Sequence, residues 1–162
     1  MSERAIHNKS GLSGLSLLQY EDEDILKWAG LIVGNSYTRE GLCPASDCLL
    51  MVAGDGRYSY KQKKVAFGYQ IVAFEKFRRE AMEAILASKQ NDSGLISHLC
   101  GTRNCCNKKH IVIEEKAIND QRTHCHFCMN NLFKKGGHDA VATFLQLGAC
   151  PHNPQCGTID NG

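Results

Sequence analysis

Ser97-His98-Leu99-Cys100-Gly101-Thr102-Arg103-Asn104-Cys105-Cys106-Asn107-Lys108-Lys109-His110 is the stretch on which the fold turns. Cys100, Cys105 and His110 are spaced as Cys-x4-Cys-x4-His, three metal-type ligands within eleven residues. Zinc takes thiolate sulfur and imidazole nitrogen in closed tetrahedral sites, so this run needs one more ligand from elsewhere. His98 stands two residues before the first cysteine. An extra imidazole beside a closed metal site points to chemistry rather than scaffolding.

A second cluster lies in the tail. Cys150-Pro151-His152-Asn153-Pro154-Gln155-Cys156 reads Cys-x-His-x3-Cys, with two prolines to stiffen the loop. Its fourth ligand must come from earlier in the chain, where Cys125 and Cys128 are available and His124, His126 and His138 are further candidates. The 162 residues carry nine cysteines, an odd count clustered with histidines. Residues 11–18 are too short and polar for a secretory leader and run into Glu21-Asp22-Glu23-Asp24. These features favour thiolates on metal in an intracellular protein over a disulfide framework. Nothing approaches the roughly 20 apolar residues of a membrane-spanning helix, so no membrane partner is expected.

Net charge is +2, which by itself says little about partners. The placement of charge is more telling. Arg57-Tyr58-Ser59-Tyr60-Lys61-Gln62-Lys63-Lys64 opens the basic part of the chain, followed by Arg78-Arg79, Arg103, Lys108-Lys109, Arg122 and Lys134-Lys135. Along an extended segment Arg57, Ser59, Lys61 and Lys63 point one way. A two-stranded ribbon fits the major groove, where such side chains touch phosphates or base edges. A solvated edge strand guarded by lysines reads equally well from these residues alone.

The pattern of apolar residues predicts a small α+β fold with an antiparallel ribbon. A helix is expected over Asp22 to Val33, with Ile25, Leu26, Trp28, Ala29 and Ile32 on one face. The longest helix is expected over Phe67 to Lys89, its core stripe being Phe67, Ile71, Phe74, Met82, Ile85 and Leu86. Leu95 to Cys100 and Ile111 to Glu114 read as short strands, followed by a helix from about Glu115 to Asn131. Lys134 to His138 reads as a loop and Ala140 to Leu147 as a last short helix. Strand, return strand and helix make a ββα unit that brings His98 near Asn119. A neutral imidazole takes a proton from water near its own pKa, and a carboxamide oxygen suits Mg²⁺, which keeps several waters and phosphate oxygens.

His98-Leu99-Cys100, Cys105, His110, Asn119 and Cys125, with Cys150-x-His152-x3-Cys156, resemble the His-Cys box homing endonucleases of the ββα-metal class. The resemblance is close over 97–125 and separate over the tail. It implies a site-specific double-strand DNA endonuclease with His98 as general base and Asn119 as ligand of one catalytic Mg²⁺ per chain. Arg57 matches an arginine on the scissile phosphate. Cys48 or Cys43 matches the remaining ligand of the first zinc beside Cys100, Cys105 and His110; Cys48 is favoured, because Cys48-Leu49-Leu50-Met51 resembles the family's apolar strand. Cys125 with Cys150, His152 and Cys156 matches a second structural zinc, Cys128 being the alternative to Cys125. The resemblance further implies a homodimer on near-palindromic DNA, a nuclear location, and a DNA-reading surface at Arg57, Ser59, Lys61 and Lys63.

The expected organisation is one zinc-stabilised domain. Residues 1–40 form an N-terminal extension and helix, and 41–96 a DNA-reading ribbon and core helix. Residues 97–131 form the ββα-metal unit, and 132–162 a second zinc-binding tail. Twenty-four residues separate Cys125 from Cys150, more than many members of that family carry. A non-catalytic zinc-stabilised DNA- or protein-binding module on the same scaffold is the alternative; it has no need of both His98 and Asn119.

Overall fold

The computed structural model describes residues 15–38, 47–90 and 95–157. Helix α1 spans Asp22–Asn35, strands β1 and β2 Arg57–Tyr60 and Lys63–Phe67, and helices α2 and α3 Gly68–Phe77 and Arg79–Gln90. Strands β3 and β4 span Leu95–His98 and Ile111–Glu114, and helix α4 runs Lys116–Gln146. The result is a small α+β fold with two antiparallel two-stranded sheets, β1-β2 and β3-β4.

Helix α1 starts where expected. Asp22, Glu23 and Asp24 occupy its first turn, where carboxylates favour the exposed N–H groups and the positive end of the helix dipole. Ile25, Trp28, Ala29 and Ile32 are buried. Trp28 packs between the hairpin and the preceding turn, edge-on to Tyr20 and tilted against Tyr60, with ring centroids 4.8 Å from both. Its neighbours in the main core include Leu17, Val65, Ile71, Phe74, Ile85 and Ile111. Each fully buried aliphatic or aromatic side chain contributes roughly 1.5–3 kcal/mol, so this cluster is the main apolar contribution to stability among the described residues.

The hairpin differs from the single extended run read in the sequence. Lys61 and Gln62 sit at φ 49° and 65° and form its two-residue turn. Hairpin turns of this hand need positive φ at both central residues and usually recruit Asn and Gly; Lys-Gln carries no such signal. Lys61 therefore lies at the tip, and Tyr60 pairs with Lys63. A bulge lets Tyr58 pair with Ala66 and Ser59 with Lys64. Tyr58 and Tyr60 pack on the core, while Ser59, Lys61, Lys63 and Lys64 are exposed.

The long helix expected over Phe67 to Lys89 is two helices. Arg78 breaks it at φ 55°, ψ −120°, with neither glycine nor proline nearby to announce the turn. The N-terminus of α2 is closed by Gln70, whose Oε1 accepts the Phe67 N–H at 3.0 Å. Leu86, expected in the core stripe, is exposed. The reverse error occurs in the tail. The loop expected over Lys134 to His138 is helical except at Gly137, whose φ 67°, ψ −158° kinks α4 into two arms. The arms close on a satellite core of Cys125, Met129, Val141, Cys150 and Cys156.

Candidate active site and metal centres

Strand β3 pairs with β4 in register, Ser97 opposite Val112 and His98 opposite Ile111. Immediately beyond, the Leu99 N–H donates to the His110 carbonyl at 2.7 Å, so Cys100 and His110 emerge side by side. The 48–51 segment then crosses the intervening loop. The Cys106 N–H donates to Leu49 O at 2.7 Å and the Met51 N–H to Asn104 O at 3.0 Å, which brings Cys48 to Cys105. Asn107 ties the loop to the same segment, its Nδ2 donating to Asp47 O at 2.8 Å.

Cys48, Cys100, Cys105 and His110 thus converge, all buried, with their ligand atoms within 4.8 Å of one another. His110 Nδ1 is 3.7 Å from Cys48 Sγ and 3.5 Å from Cys105 Sγ. With Zn–S about 2.3 Å and Zn–N about 2.0–2.1 Å, a tetrahedral S···N edge is about 3.5 Å, so the donor set fits zinc. The other ring nitrogen, Nε2, donates to Asp47 Oδ1 at 2.7 Å. A carboxylate on the far nitrogen is the usual way a metal-binding imidazole is oriented. Burial disfavours charge on His110, yet Cys100 and Cys105 raise its pKa to about 11. The cluster is built to attract positive charge. Cys43 lies outside the described residues.

The second tetrad comprises Cys125 from the first arm of α4 and Cys150, His152 and Cys156 from the tail. His152 Nδ1 lies 3.4 Å from Cys150 Sγ and 3.5 Å from Cys156 Sγ, again the spacing of a zinc tetrahedron. Burial raises the thiols of Cys125 and Cys156 to about 11 and about 12; zinc must displace those protons, which couples binding to pH. Cys128 stands apart, 3.9 Å from His124 one turn back along α4. His126 instead bonds Leu99 O at 3.0 Å and packs so closely on Gly101 that a Cβ there would lie 2.5 Å from its ring. Gly101, at φ 73°, is required twice over.

His98 sits at the end of β3 beside the first tetrad. Its Nε2 is 2.9 Å from the Cys105 carbonyl. A carbonyl only accepts, so Nε2 carries the proton and Nδ1 keeps the lone pair. Burial lowers the His98 pKa from its ordinary value, which favours the neutral ring. The Tyr69 ring packs 4.3 Å from it, and Tyr69 stacks on Phe67 in turn. Arg57 faces Phe67 across the hairpin, its guanidinium 5.7 Å from that ring. Arg57 Nε is buried without a hydrogen-bond partner; an orphaned guanidinium nitrogen asks for an anion. Gly56 (φ 74°) lets this strand approach the loop: a Cβ there would lie 2.9 Å from Arg103 O.

Asn119 stands on the first turns of α4, its carboxamide 3.0 Å from Oγ of Ser97, the residue before His98 on β3. A neutral oxygen ligand of this kind fits Mg²⁺, whose remaining positions are filled by water and phosphate. Three residues beside the site escaped the sequence reading. Ser97 and Glu114 lie 2.7 Å apart, and Arg122, counted there among scattered bases, is fully buried. Arg122 grips Glu114 with Nε and Nη2 at 2.7 and 2.9 Å and reaches Pro154 O and Cys156 Sγ at 2.7 and 3.3 Å. Burial opposes its charge and Glu114 restores it, so its pKa is raised. Seven residues separate Glu114 from Arg122, with no local motif to signal their pairing.

A family model for the zinc-binding loop region of homing endonuclease matches residues 39–161. The chain belongs to that family. Its function is therefore nuclease-related, and the two tetrads are the Cys/His sites that equip it to bind structural zinc. No curated protein and no solved structure matches the chain. No helix among the described residues is long and apolar enough to cross a membrane.

Proposed function

We propose that this homing-endonuclease relative is a site-specific double-strand DNA endonuclease that hydrolyses phosphodiester bonds. The observation that carries this reading is the fixed tautomer of His98. Its Nε2–H is committed to Cys105 O, which leaves Nδ1 to take a proton from the attacking water; a positioned general base contributes roughly 10²–10⁴-fold. Arg57 binds the scissile phosphate through charge-assisted hydrogen bonds. Asn119 holds the single Mg²⁺, which when bound relieves negative charge on the phosphate and the leaving 3′ oxygen. The two zinc sites do no chemistry; they stand in for a core where the chain is loop-rich.

The exposed hairpin residues Ser59, Lys61 and Lys63 form the DNA-reading element. Two copies acting on a near-palindromic site, in the nucleus, complete the proposal. The deciding experiment is cleavage of a randomised-site plasmid library by purified protein with Mg²⁺ or with EDTA, beside His98→Ala. Cuts at one site that need Mg²⁺ and vanish in the variant support the reading. Cutting by His98→Ala at the wild-type rate removes His98 from the mechanism. DNA retention without cutting by zinc-loaded wild type would turn the reading into a binding module.

A further inference from the structure

We infer that Ser97 is a positioning residue that turns the oxygen of Asn119 toward the cation; the inference rests on the proposed function only for what that oxygen then does. Ser97 Oγ lies 2.7 Å from Glu114 Oε2 and 3.0 Å from the Asn119 atom assigned as Oδ1. One hydroxyl proton cannot serve two acceptors. Arg122 holds Glu114 in a two-point ion pair, so Glu114 is a carboxylate and accepts only. Ser97 therefore donates to Glu114.

The Asn119 atom that faces Ser97 must then be a donor. Carboxamide oxygen and nitrogen are told apart by their hydrogen bonds, and here the bonds assign Nδ2–H to the Ser97 lone pair. Oδ1 is turned away from Ser97. Ser97 is 3% exposed, so water competes poorly for either bond. The orientation is inherited from further away, because Arg122, which fixes Glu114, is itself anchored on Pro154 O and Cys156 Sγ. The second metal centre thereby reaches the cation ligand through four side chains: Cys156, Arg122, Glu114 and Ser97.

The test uses the zinc-loaded, full-length ¹⁵N-labelled protein without DNA, read at the side-chain amide of Asn119, which is assigned by its loss in Asn119→Ala. In the wild type this amide should exchange with solvent more slowly than exposed carboxamides. Ser97→Ala should abolish that protection, and Ser97→Thr, which keeps the hydroxyl, should retain it. Zinc content and melting check that both variants fold. Fast exchange in the wild type, or protection that survives in Ser97→Ala, would overturn the inference, and the wild-type arm decides even if Ser97→Ala fails to fold.

In plasmid cleavage, the half-saturating Mg²⁺ concentration should rise roughly 10–100-fold in Ser97→Ala, the usual cost of losing a metal ligand's supporting partner. DNA binding in EDTA should not change. A loss equal at every Mg²⁺ concentration would reject Ser97 as an orienting group. A wild type that protects the amide yet cuts no DNA would sink the nuclease reading and leave the orientation standing.

Discussion

The two tetrads share a spacing of donors and differ in almost everything around it. The first is woven from two segments distant in sequence, 47–51 and 98–111, and all four of its ligands are buried. Its histidine is backed by Asp47, and His98 hangs on the carbonyl of its ligand Cys105. The second closes the base of one helical hairpin. Its His152 is half-buried, and no carboxylate hydrogen-bonds to it among the described residues. The first site joins parts distant in sequence, so its loss undoes the proposed active site. Loss of the second loosens an appendage tied to the proposed active site by Arg122, which grips Glu114, and by the Gly157 N–H and His126 Nε2, which both bond Leu99 O beside His98.

The comparison is tested hardest by removing one sulfur from each site. Cys105→Ser should be the most damaging substitution, at about 4 kcal/mol, near the upper end for single changes. For a chain of this size that lowers the melting temperature by roughly 8–16 °C. Cys150→Ser should cost about half as much, with helicity lost from α4 and the β3-β4 amides still protected from exchange. Thermal melting with zinc stoichiometry reads both. Equal losses from the two variants would erase the asymmetry, and melting unchanged in both would remove zinc from the structural account.

The differences between the sites also explain what the sequence discloses. Cys100, Cys105 and His110 are legible because zinc demands particular atoms, and short spacings let one loop supply them. The ββα order is legible too: Ile111, Val112 and Ile113 mark a strand, and the polar residues after them continue into α4. What stays hidden is dictated by tertiary packing. Lys61-Gln62 and Arg78 adopt positive φ without glycine, a cost of about 1–2 kcal/mol per residue that only the surrounding core offsets. Gly136-Gly137 invites a loop, yet the satellite core keeps all but Gly137 helical. Arg122 looks like one more surface base until Glu114 and the tail close over it. His98 and Asn119 are singled out by spacing and by the family resemblance, whereas the contact of Ser97 with Glu114 and Asn119 appears only in the tertiary structure.

Asp47 offers a finer cut through the same comparison, because it touches only one site. Asp47→Ala should weaken zinc at the first tetrad by about 10–100-fold, the usual effect of losing an outer carboxylate, and leave the second unchanged. Competition with a chromophoric chelator resolves two zinc populations by their release. In the wild type the first site should hold its metal longer, and in the variant the order should narrow or reverse. Release of both ions unchanged by the substitution would show that the 2.7 Å contact from His110 to Asp47 does not tune the metal.

The smallest effect should come from the kink that builds the second site. Gly137 occupies φ 67°, ψ −158°, a region open essentially to glycine, and a Cβ there would meet no atom within 4 Å. Gly137→Ala therefore introduces backbone strain without a steric clash, at about 1 kcal/mol, the low end for such strain. The penalty falls on the angle between the two arms of α4, hence on the position of Cys150 and Cys156 relative to Cys125. Hydrogen exchange should quicken in residues 138–146 and leave β3 and β4 untouched, with zinc lost first from the second tetrad. If the strain instead accelerates exchange around His98 and His110, the two sites share one cooperative unit. The Arg122 bridge would then transmit far more than the orientation of a single side chain.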